Sequence, residues 1–496
     1  MTGVANKAAE FFKTLGGKIV AGAKKFGKNF VAFFKGIPGF FVSLGKRIAG
    51  GCKNYVETFR DGDLGVKLSY FFMGSGAFAH KQIAKGIGYL AIELLFIFYM
   101  IFNGAGAIGG LFTLGTEFTY TYYDLDTGAG MEVNVPGDNS MLCLLYGVVA
   151  IIVIVAFLIV YFMNIRSAVA NYEDSIIGRK PSTLKQDFLA LFDNKFYIIL
   201  LVFAMIGVIA FTILPLIFMI LIAFTNYDSM HPETSGFNWV GFQNFGKLIG
   251  TTGLSSTFFP VLGWTLLWAL CATFLNYFLG VALALLINNK NVKGKKVWRT
   301  FFVLTIAIPQ FVSLLLMRSM LGQYGPIMNW LVEMGIARMD WFQSKTAARL
   351  IVIFVNLWIG IPYSMLITSG ILMNIPQDLY ESARIDGAGK LKMFQKITLP
   401  YIMFVTGPYL ITQFIGNINN FNVIYLLTGG APFGTLPDGN AGSTSLLVTW
   451  LYSMTTVTGD FNLASTIGIL TFIVSSIISL ITYRNASSTK NEEDFQ

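Results

Sequence analysis

Eight long apolar stretches, each about as long as a lipid bilayer is thick, constrain what this chain can fold into. The chain has 496 residues, of which 54% are hydrophobic and 12% charged, and its mean hydropathy is +0.63. A helix needs about 20 apolar residues to cross the hydrocarbon layer, because every backbone amide must find its partner within the helix. The sequence therefore predicts an all-α polytopic membrane protein with about eight transmembrane helices, near residues 86–104, 142–163, 197–225, 262–287, 300–321, 347–373, 401–427 and 462–483.

The distribution of Lys and Arg predicts the orientation of these spans. Of the 35 basic residues, five lie in one set of alternate loops and the rest lie in the N-terminal arm, the other loops and the C-terminal tail. Because basic residues near a span resist translocation, we expect a multi-pass protein of the plasma or inner membrane with both termini in the cytoplasm. The first span is short and carries Glu93, but the charge bias keeps its alternation only if that span exists.

The N-terminal arm is basic and repeats Lys, Gly and Phe, as in Phe33-Phe34-Lys35. Such a segment suits the inner leaflet, with rings in the acyl boundary and ammonium groups at anionic lipid headgroups. A flexible Gly-rich arm without a dedicated role explains the composition equally well. The net charge of +9 therefore indicates topology and membrane lipids as partners, not nucleic acid. Three scattered Cys and two His indicate neither a disulfide framework nor a metal site.

The predicted cytoplasmic loop between spans six and seven has the features of a short helix that stops at a glycine. Pro376 suits a first helical turn, and Asp378 and Glu381 favour its positive N-terminal end. Gly387 or Gly389 can supply the left-handed residue that ends the helix, before a second short helix ending at Pro400. Leu379, Ala383 and Asp386 recur at helical spacing with Ser382, which gives one small-to-apolar face beside a charged one. An ordinary inter-span loop and a helix that docks into a partner's groove both fit this spacing.

The same loop closely resembles the EAA loop of ABC importer permeases. That pattern is EAA, three residues, Gly, nine residues, Ile, any residue and Leu-Pro, and Glu381-Ser382-Ala383, Gly387, Ile397 and Leu399-Pro400 follow it with Ser382 as the one departure. The similarity extends over residues 197 to 484 and is closest to the maltose and maltodextrin permease of MalF type. In that family the loop seats in a cleft of the ATPase subunit, so the resemblance implies ATPase-coupling positions at Glu381, Ser382, Ala383, Asp386 and Gly387.

The resemblance also implies an assembly. This chain would pair with a second six-span permease of MalG type, two copies of an ABC ATPase subunit and an extracellular solute-binding protein that delivers an oligosaccharide. It would bind no cofactor itself, since ATP and Mg would be used by the ATPase. The implied domains are the arm 1–85, two accessory spans 86–195, the importer transmembrane domain 196–484 with its coupling loop 376–400, and a cytoplasmic tail 485–496.

Two spans carry polar residues on one helical face. Span seven has Gln413, Gly416, Asn417 and Asn420 at i, i+3, i+4 and i+7. Span six has Asn356, Gly360 and Tyr363, where the glycine would let a ligand approach and the ring could stack on a sugar. Amides in hydrocarbon can pair helices or bind hydroxyl-rich ligands, and helix pairing is the commoner fate.

The maltose-type permease binds sugar midway across the membrane on these two spans. By that resemblance the substrate-binding positions are Ile359, Gly360, Tyr363, Gln413, Gly416, Asn417 and Asn420. Gln413 and Gly416 replace a serine and a phenylalanine, so one stacking surface is missing. The external loop 226–261 is much shorter than the folded insertion of the enterobacterial maltose subunit. The external segment 428–460 can contribute to binding-protein contact or serve as a simple interfacial cap.

Competing functions lack the residues that they require. A secondary transporter driven by protons or sodium usually places ionisable groups inside the membrane, and Glu93 is the one acidic residue within the predicted spans. No zinc-protease motif, nucleophile elbow or phosphate-binding loop occurs, so the chain is predicted to be no enzyme and no ATPase. We therefore expect a permease subunit of an ATP-driven importer of malto-oligosaccharides; a permease for another oligosaccharide and an ion-coupled carrier are the alternatives.

Overall fold

The computed structural model describes residues 39–485 except for 40–41, 44, 48, 52, 116, 124–129, 180–183, 232–235, 251–252 and 290. The described chain is helical apart from one antiparallel hairpin, β1 (Glu117–Tyr123) and β2 (Gly130–Pro136), in which Tyr120 pairs with Val133. Six helices are long and apolar enough to cross a membrane, and a bent helix pair would make a seventh. The predicted all-α polytopic fold class is thereby confirmed, with six or seven candidate spans among the described residues where about eight were predicted, and the hairpin is an addition to it.

The chain divides into two compact units, one within residues 32–241 and one from residue 242 onward. The helices of the first unit are α1 (Leu64–Leu68), α2 (Ser75–Ala79), α3 (Ile83–Thr113), α4 (Ser140–Ile176), α5 (Leu184–Phe192) and α6 (Phe196–Ile222). Helices α3 and α4 stand where the two accessory spans are expected. The division at residue 241 differs in place from the predicted division at 195, and the four predicted domains stay a prediction.

Polar side chains hold the first unit together around α4. Asn139 caps this helix by accepting from the backbone N of Leu142 at 3.1 Å. Asn164 accepts from the backbone N of Gly74 at 2.9 Å and donates to the carbonyl O of Ser69. Glu93 on α3 accepts from the backbone N of Met73 at 2.8 Å. Glu93 therefore has a hydrogen-bond partner within the first unit.

The second unit is built on two long helices that cross at small residues. Helices α8 (Ser255–Asn288) and α12 (Lys345–Met373) approach so closely that a Cβ on Gly280 would collide with Ser364. Trp264, Trp268 and Val355 lie in the apolar core beside this crossing. The other helices of the second unit are α7 (Gln243–Ile249), α9 (Lys295–Ala307), α10 (Gln310–Leu321), α11 (Pro326–Glu333), α13 (Gln377–Ile385), α14 (Lys390–Met393), α15 (Leu399–Ile418), α16 (Phe421–Leu427), α17 (Leu447–Ser453) and α18 (Phe461–Asn485).

Two of the predicted spans are not single helices. Helix α9 meets the stretch Gln310–Glu333, which contains α10 and α11, at an angle of 89°, so the predicted span 300–321 is a bent helix pair rather than one helix. Pro309 has no N–H and favours an extended residue before it, and Ile308 is extended. The predicted span 401–427 breaks after Ile418, because the Asn420 side chain accepts from the backbone N of Val423 and begins a separate helix.

Candidate functional site

A small polar cavity lies where α8, α12 and α15 meet. Its volume is about 40 Å³, far below the 300–1,000 Å³ that is typical of ligand pockets. The cavity is therefore closed to a sugar in this conformation. None of the described residues that line it is charged, and most carry hydroxyl or amide groups: Ala272, Thr273, Asn276, Tyr277, Gly360, Tyr363, Ser364, Tyr409, Leu410 and Gln413.

Gly360 lines the cavity, and a side chain of the neighbouring helix α8 lies directly against it. A Cβ at Gly360 would collide with the carboxamide of Asn276 on α8. The Asn276 side chain covers this glycine here, and the expectation that Gly360 lets a ligand reach the backbone stays a prediction. The residue before it, Ile359, is partly buried and packs against the apolar core.

Tyr363 lies beside the cavity and is available to it. Its side chain lines the cavity and the residue is 47% exposed. Its ring centroid is 6.2 Å from that of Tyr409 on α15, with 39° between the planes. Two aromatic faces from different helices thus stand at the mouth of one polar space, an arrangement that suits stacking on a sugar ring.

The four polar positions of span seven separate into different environments. Gln413 lines the cavity, whereas Gly416 is exposed and a Cβ there would meet open space. Asn417 donates from Nδ2 to Thr273 Oγ1 at 3.0 Å, and its backbone carbonyl accepts from Trp268 Nε1 at 3.1 Å. Asn420 caps α16. Asn417 and Asn420 therefore pair and cap helices here, and Gln413 alone of the four faces the cavity.

Asn276 is a cavity residue that the sequence reasoning missed. Its Oδ1 is buried and has no hydrogen-bond partner among the described residues, and the same is true of Asn356 Nδ2 on α12. A buried amide oxygen without a hydrogen-bond partner lowers stability by about 1–3 kcal/mol. The Asn276 oxygen is therefore free to accept a hydrogen bond from a hydroxyl group of a ligand. The available signal was a lone Asn within the apolar stretch Leu275–Phe278.

The loop that resembles the EAA motif forms an exposed helix, α13. None of its nine residues is buried, Glu381 and Ser382 are exposed, Ala383 is partly buried, and Ile385 is 87% exposed. Gly387 has a φ of +74°, and the backbone N of Ala388 donates to the carbonyl of Ala383 at 2.8 Å. Of the two glycines predicted to stop the helix, Gly387 and Gly389, it is Gly387 that does so in a left-handed conformation.

The second half of the loop differs from its prediction. The short helix α14 does not end at Pro400. It continues through a π-helical turn, Phe394–Thr398, into α15, where Pro400 occupies the first turn and needs no N–H partner. The hydroxyl of Tyr380 on α13 lies 2.8 Å from Thr398 Oγ1. The loop helix is therefore tied to the π-helical turn that leads directly into α15.

The segment after α16 folds into a compact, hydrogen-bonded loop. The guanidinium of Arg349 lies 4.1 Å over the ring of Trp264, and its Nε donates to the carbonyl of Ser443 at 2.8 Å. Trp264 Nε1 donates to the carbonyl of Thr444 at 3.1 Å. Asp438 accepts from Trp450 Nε1 at 2.7 Å. Residues 441–447 are buried, so this loop is an ordered cap on the unit.

Comparison of the sequence with known proteins shows which family this chain matches. Residues 276–489 match the binding-protein-dependent transport system inner membrane component family. The galactooligosaccharides transport system permease protein GanP of Bacillus subtilis (strain 168) is 35% identical over 84% of this chain and 96% of GanP. The maltodextrin transport system permease protein MdxF of the same organism is 34% identical over 85% of this chain and 95% of MdxF.

A solved structure shares the fold. The bacterial alginate ABC transporter in complex with an alginate pentasaccharide-bound periplasmic protein aligns with a TM-score of 0.50 at 22% identity, over 60% of this chain and 95% of that chain. The chain belongs to the family of binding-protein-dependent transport system inner membrane components, as an ABC importer permease related to maltodextrin and galactooligosaccharide permeases. The predictions of a permease rather than an enzyme, and of a maltose-type relationship, are confirmed.

Proposed function

We propose that this chain is the permease subunit of an ATP-driven importer of neutral oligosaccharides, with malto-oligosaccharides as its substrate. The cavity between α8, α12 and α15 carries the proposal, because its described lining offers amides, hydroxyls and aromatic faces and no charge. Those groups donate to and accept from sugar hydroxyls and stack on sugar rings. An acidic saccharide would instead require a basic residue there. The relatives named for maltodextrin and galactooligosaccharides support a neutral sugar.

Substrate entry requires the cavity to open. We infer that α15 moves relative to α8 and α12, because α8 and α12 pack closely against each other at Gly280 and Gly360. Movement of α15 would separate Gln413 and Tyr409 from Tyr363 and Asn276. The substrate-binding roles of Ile359, Gly360, Tyr363, Gln413, Gly416, Asn417 and Asn420 belong to this open state.

Coupling to ATP hydrolysis is proposed to run through α13. Its exposed carboxylate, Glu381, and the apolar Ile385 beside it suit a cleft with a basic residue on a separate ATPase subunit. Two such subunits, using ATP and Mg, would act on this chain and on a second six-span permease. The ordered cap around residues 428–460 is the proposed contact for the solute-binding protein. This arrangement requires α13 and both termini on the cytoplasmic side.

ATP-dependent uptake of labelled maltodextrin tests the function. The chain is reconstituted in proteoliposomes with its partner permease, ATPase and binding protein, and unlabelled maltodextrin or galacto-oligosaccharide is added as competitor. Uptake that needs ATP and is competed by maltodextrin supports the proposal. Stronger competition by galacto-oligosaccharide would reject the substrate, and uptake without ATP that follows an ion gradient would favour a secondary transporter.

A pair of charge reversals tests the coupling role separately. Glu381→Lys places a cation on α13, and Glu333→Lys makes the same change at the exposed end of α11, outside the loop. We expect Glu381→Lys to abolish uptake while the complex still assembles, and Glu333→Lys to leave uptake near the wild-type rate. Undiminished uptake in Glu381→Lys would reject coupling through this residue.

A further inference from the structure

A wide groove in the first unit lies outside everything that the transport proposal uses. It runs between the helical residues 53–61 and α4 and has a volume of about 850 Å³. Its walls are mainly apolar and aromatic, formed by Tyr55, Val56, Tyr70, Phe162, Ile165 and Val169. A groove of this size and lining suits an acyl chain.

The composition of α4 places this groove at the edge of the membrane. The helix is apolar from Met141 to Met163, and Asn164 and Arg166 are the first strongly polar residues after that stretch. The end of the apolar stretch marks the boundary between hydrocarbon and headgroups. Tyrosine is enriched at this depth because its ring is apolar and its hydroxyl is polar.

Three tyrosines form a closed hydrogen-bonded group at this level. The hydroxyls of Tyr55 and Tyr161 are 2.9 Å apart, and the Tyr161 hydroxyl also reaches the carbonyl of Tyr70 at 2.9 Å. The Tyr70 hydroxyl donates to the carbonyl of Tyr55 at 3.0 Å. The groove wall is therefore held in place by contacts between the segment 53–61, the α1–α2 turn and α4.

Two opposite charges stand along the groove at different depths. Arg166 is exposed at the headgroup level, and Glu173 follows it on α4 about 10 Å farther from the hydrocarbon. Within the described part of the chain neither side chain is joined in an ion pair, whereas Glu57 on the neighbouring segment is paired with Lys53 at 3.8 Å. The groove thus presents an apolar wall, then a cation, then an anion.

We propose that this groove binds a phospholipid whose headgroup carries a phosphate and a primary ammonium. One acyl chain lies along Phe162 and Ile165, the phosphate accepts from the Arg166 guanidinium, and the ammonium donates to the Glu173 carboxylate. Guanidinium groups bind phosphate oxygens in paired hydrogen bonds. The order of the three groups along α4 matches the order of acyl chain, phosphate and ammonium in such a lipid.

Native mass spectrometry of the delipidated full chain tests this site. Dioleoyl phosphatidylethanolamine, phosphatidylcholine and phosphatidylglycerol are titrated separately, and the fraction of protein with one bound lipid is measured. We expect phosphatidylethanolamine to bind about fivefold or more tightly than the others, since only its ammonium donates hydrogen bonds to Glu173. A preference for phosphatidylglycerol, or no preference, would overturn the proposal.

Variants locate the binding in the groove. Arg166→Gln is expected to weaken phosphatidylethanolamine binding about tenfold. The matched control is Arg179→Gln, which removes the same charge from a residue near Asp174 outside the groove and should bind like the wild type. Ala170→Trp fills the groove without changing its charge and should also lose the lipid. Binding that survives Arg166→Gln would exclude the site, whether or not Ala170→Trp folds.

Discussion

The carboxamide of Asn276 on α8 occupies the space where a side chain at residue 360 of α12 would have to lie. A side chain at residue 360 would therefore displace this carboxamide, and the amide oxygen of Asn276 has no partner among the described residues. The contact between Asn276 and Gly360 thus affects both the packing of the second unit and the polarity of its cavity.

A substitution of Gly360 tests this packing. Gly360→Ala adds one methyl group against the side-chain carboxamide of Asn276, which must shift to make room, and overpacking of this kind costs about 1–3 kcal/mol. We expect a lower melting temperature for the purified chain in detergent. Gly370→Ala is the matched control, because a Cβ at that position of the same helix meets nothing within 4 Å and Ala favours helix. Equal melting temperatures for the two variants would contradict the close approach.

The left-handed turn after α13 predicts a difference between two nearby glycines. Gly387 has a φ of +74°, where a side chain costs about 1–2 kcal/mol, whereas Gly389 is extended with a φ of −71°. If α13 couples to an ATPase, Gly387→Ala should lower ATP-dependent uptake, because the end of the helix loses its geometry. Gly389→Ala should retain uptake. An identical loss in both variants would show that the left-handed conformation is not the reason.

The two amides of α15 should respond differently to truncation. Asn417→Ala removes the hydrogen bond to Thr273 Oγ1 and should destabilise the purified chain by about 0.5–1.5 kcal/mol. Gln413→Ala removes a cavity side chain and should raise the KM for maltodextrin uptake with little change in melting temperature. Thermal melting and uptake kinetics measured on both variants separate the roles. A raised KM without destabilisation in Asn417→Ala would restore it as a direct ligand.

Arg349 should control the order of the cap. Arg349→Lys keeps the charge but loses the planar contact with Trp264 and the Nε bond to the Ser443 carbonyl. We expect amide hydrogen exchange in residues 428–446 to accelerate about 5- to 30-fold, which corresponds to about 1–2 kcal/mol. Arg338→Lys is the control, since Arg338 contacts Tyr324 and Gln323 instead. Unchanged exchange in the Arg349 variant would mean that other bonds hold the loop.

The features that sequence reasoning predicted well are those with a local physical cause. Hydropathy alone marks the long helices, because lipid leaves the backbone no other partner. The stop at Gly387 follows from glycine's freedom at positive φ. The EAA loop was found by its spacing, although its helix α14 continues into α15 where an end at Pro400 was expected.

The features that were missed depend on which neighbour a residue meets. Pro309 and Asn420 each break a stretch that is apolar throughout, and hydropathy averages over such single residues. The amide of Asn417 can pair helices or bind sugar with the same atoms, so periodicity could not separate the two roles. Asn276 was missed because no second amide lies within its predicted span, 262–287, and because its contact with Gly360 joins two different helices.

The hydrogen bond between Tyr380 and Thr398 has a mechanical consequence. Beyond it, α15 runs as one helix from Leu399 to Gln413, a distance of about 21 Å, with Pro408 inside it. Because α15 is held near its first residue, a tilt of the helix at that end displaces Gln413 at the other. The orientation of the surface helix α13 and the width of the polar cavity in the second unit thus both depend on the tilt of α15.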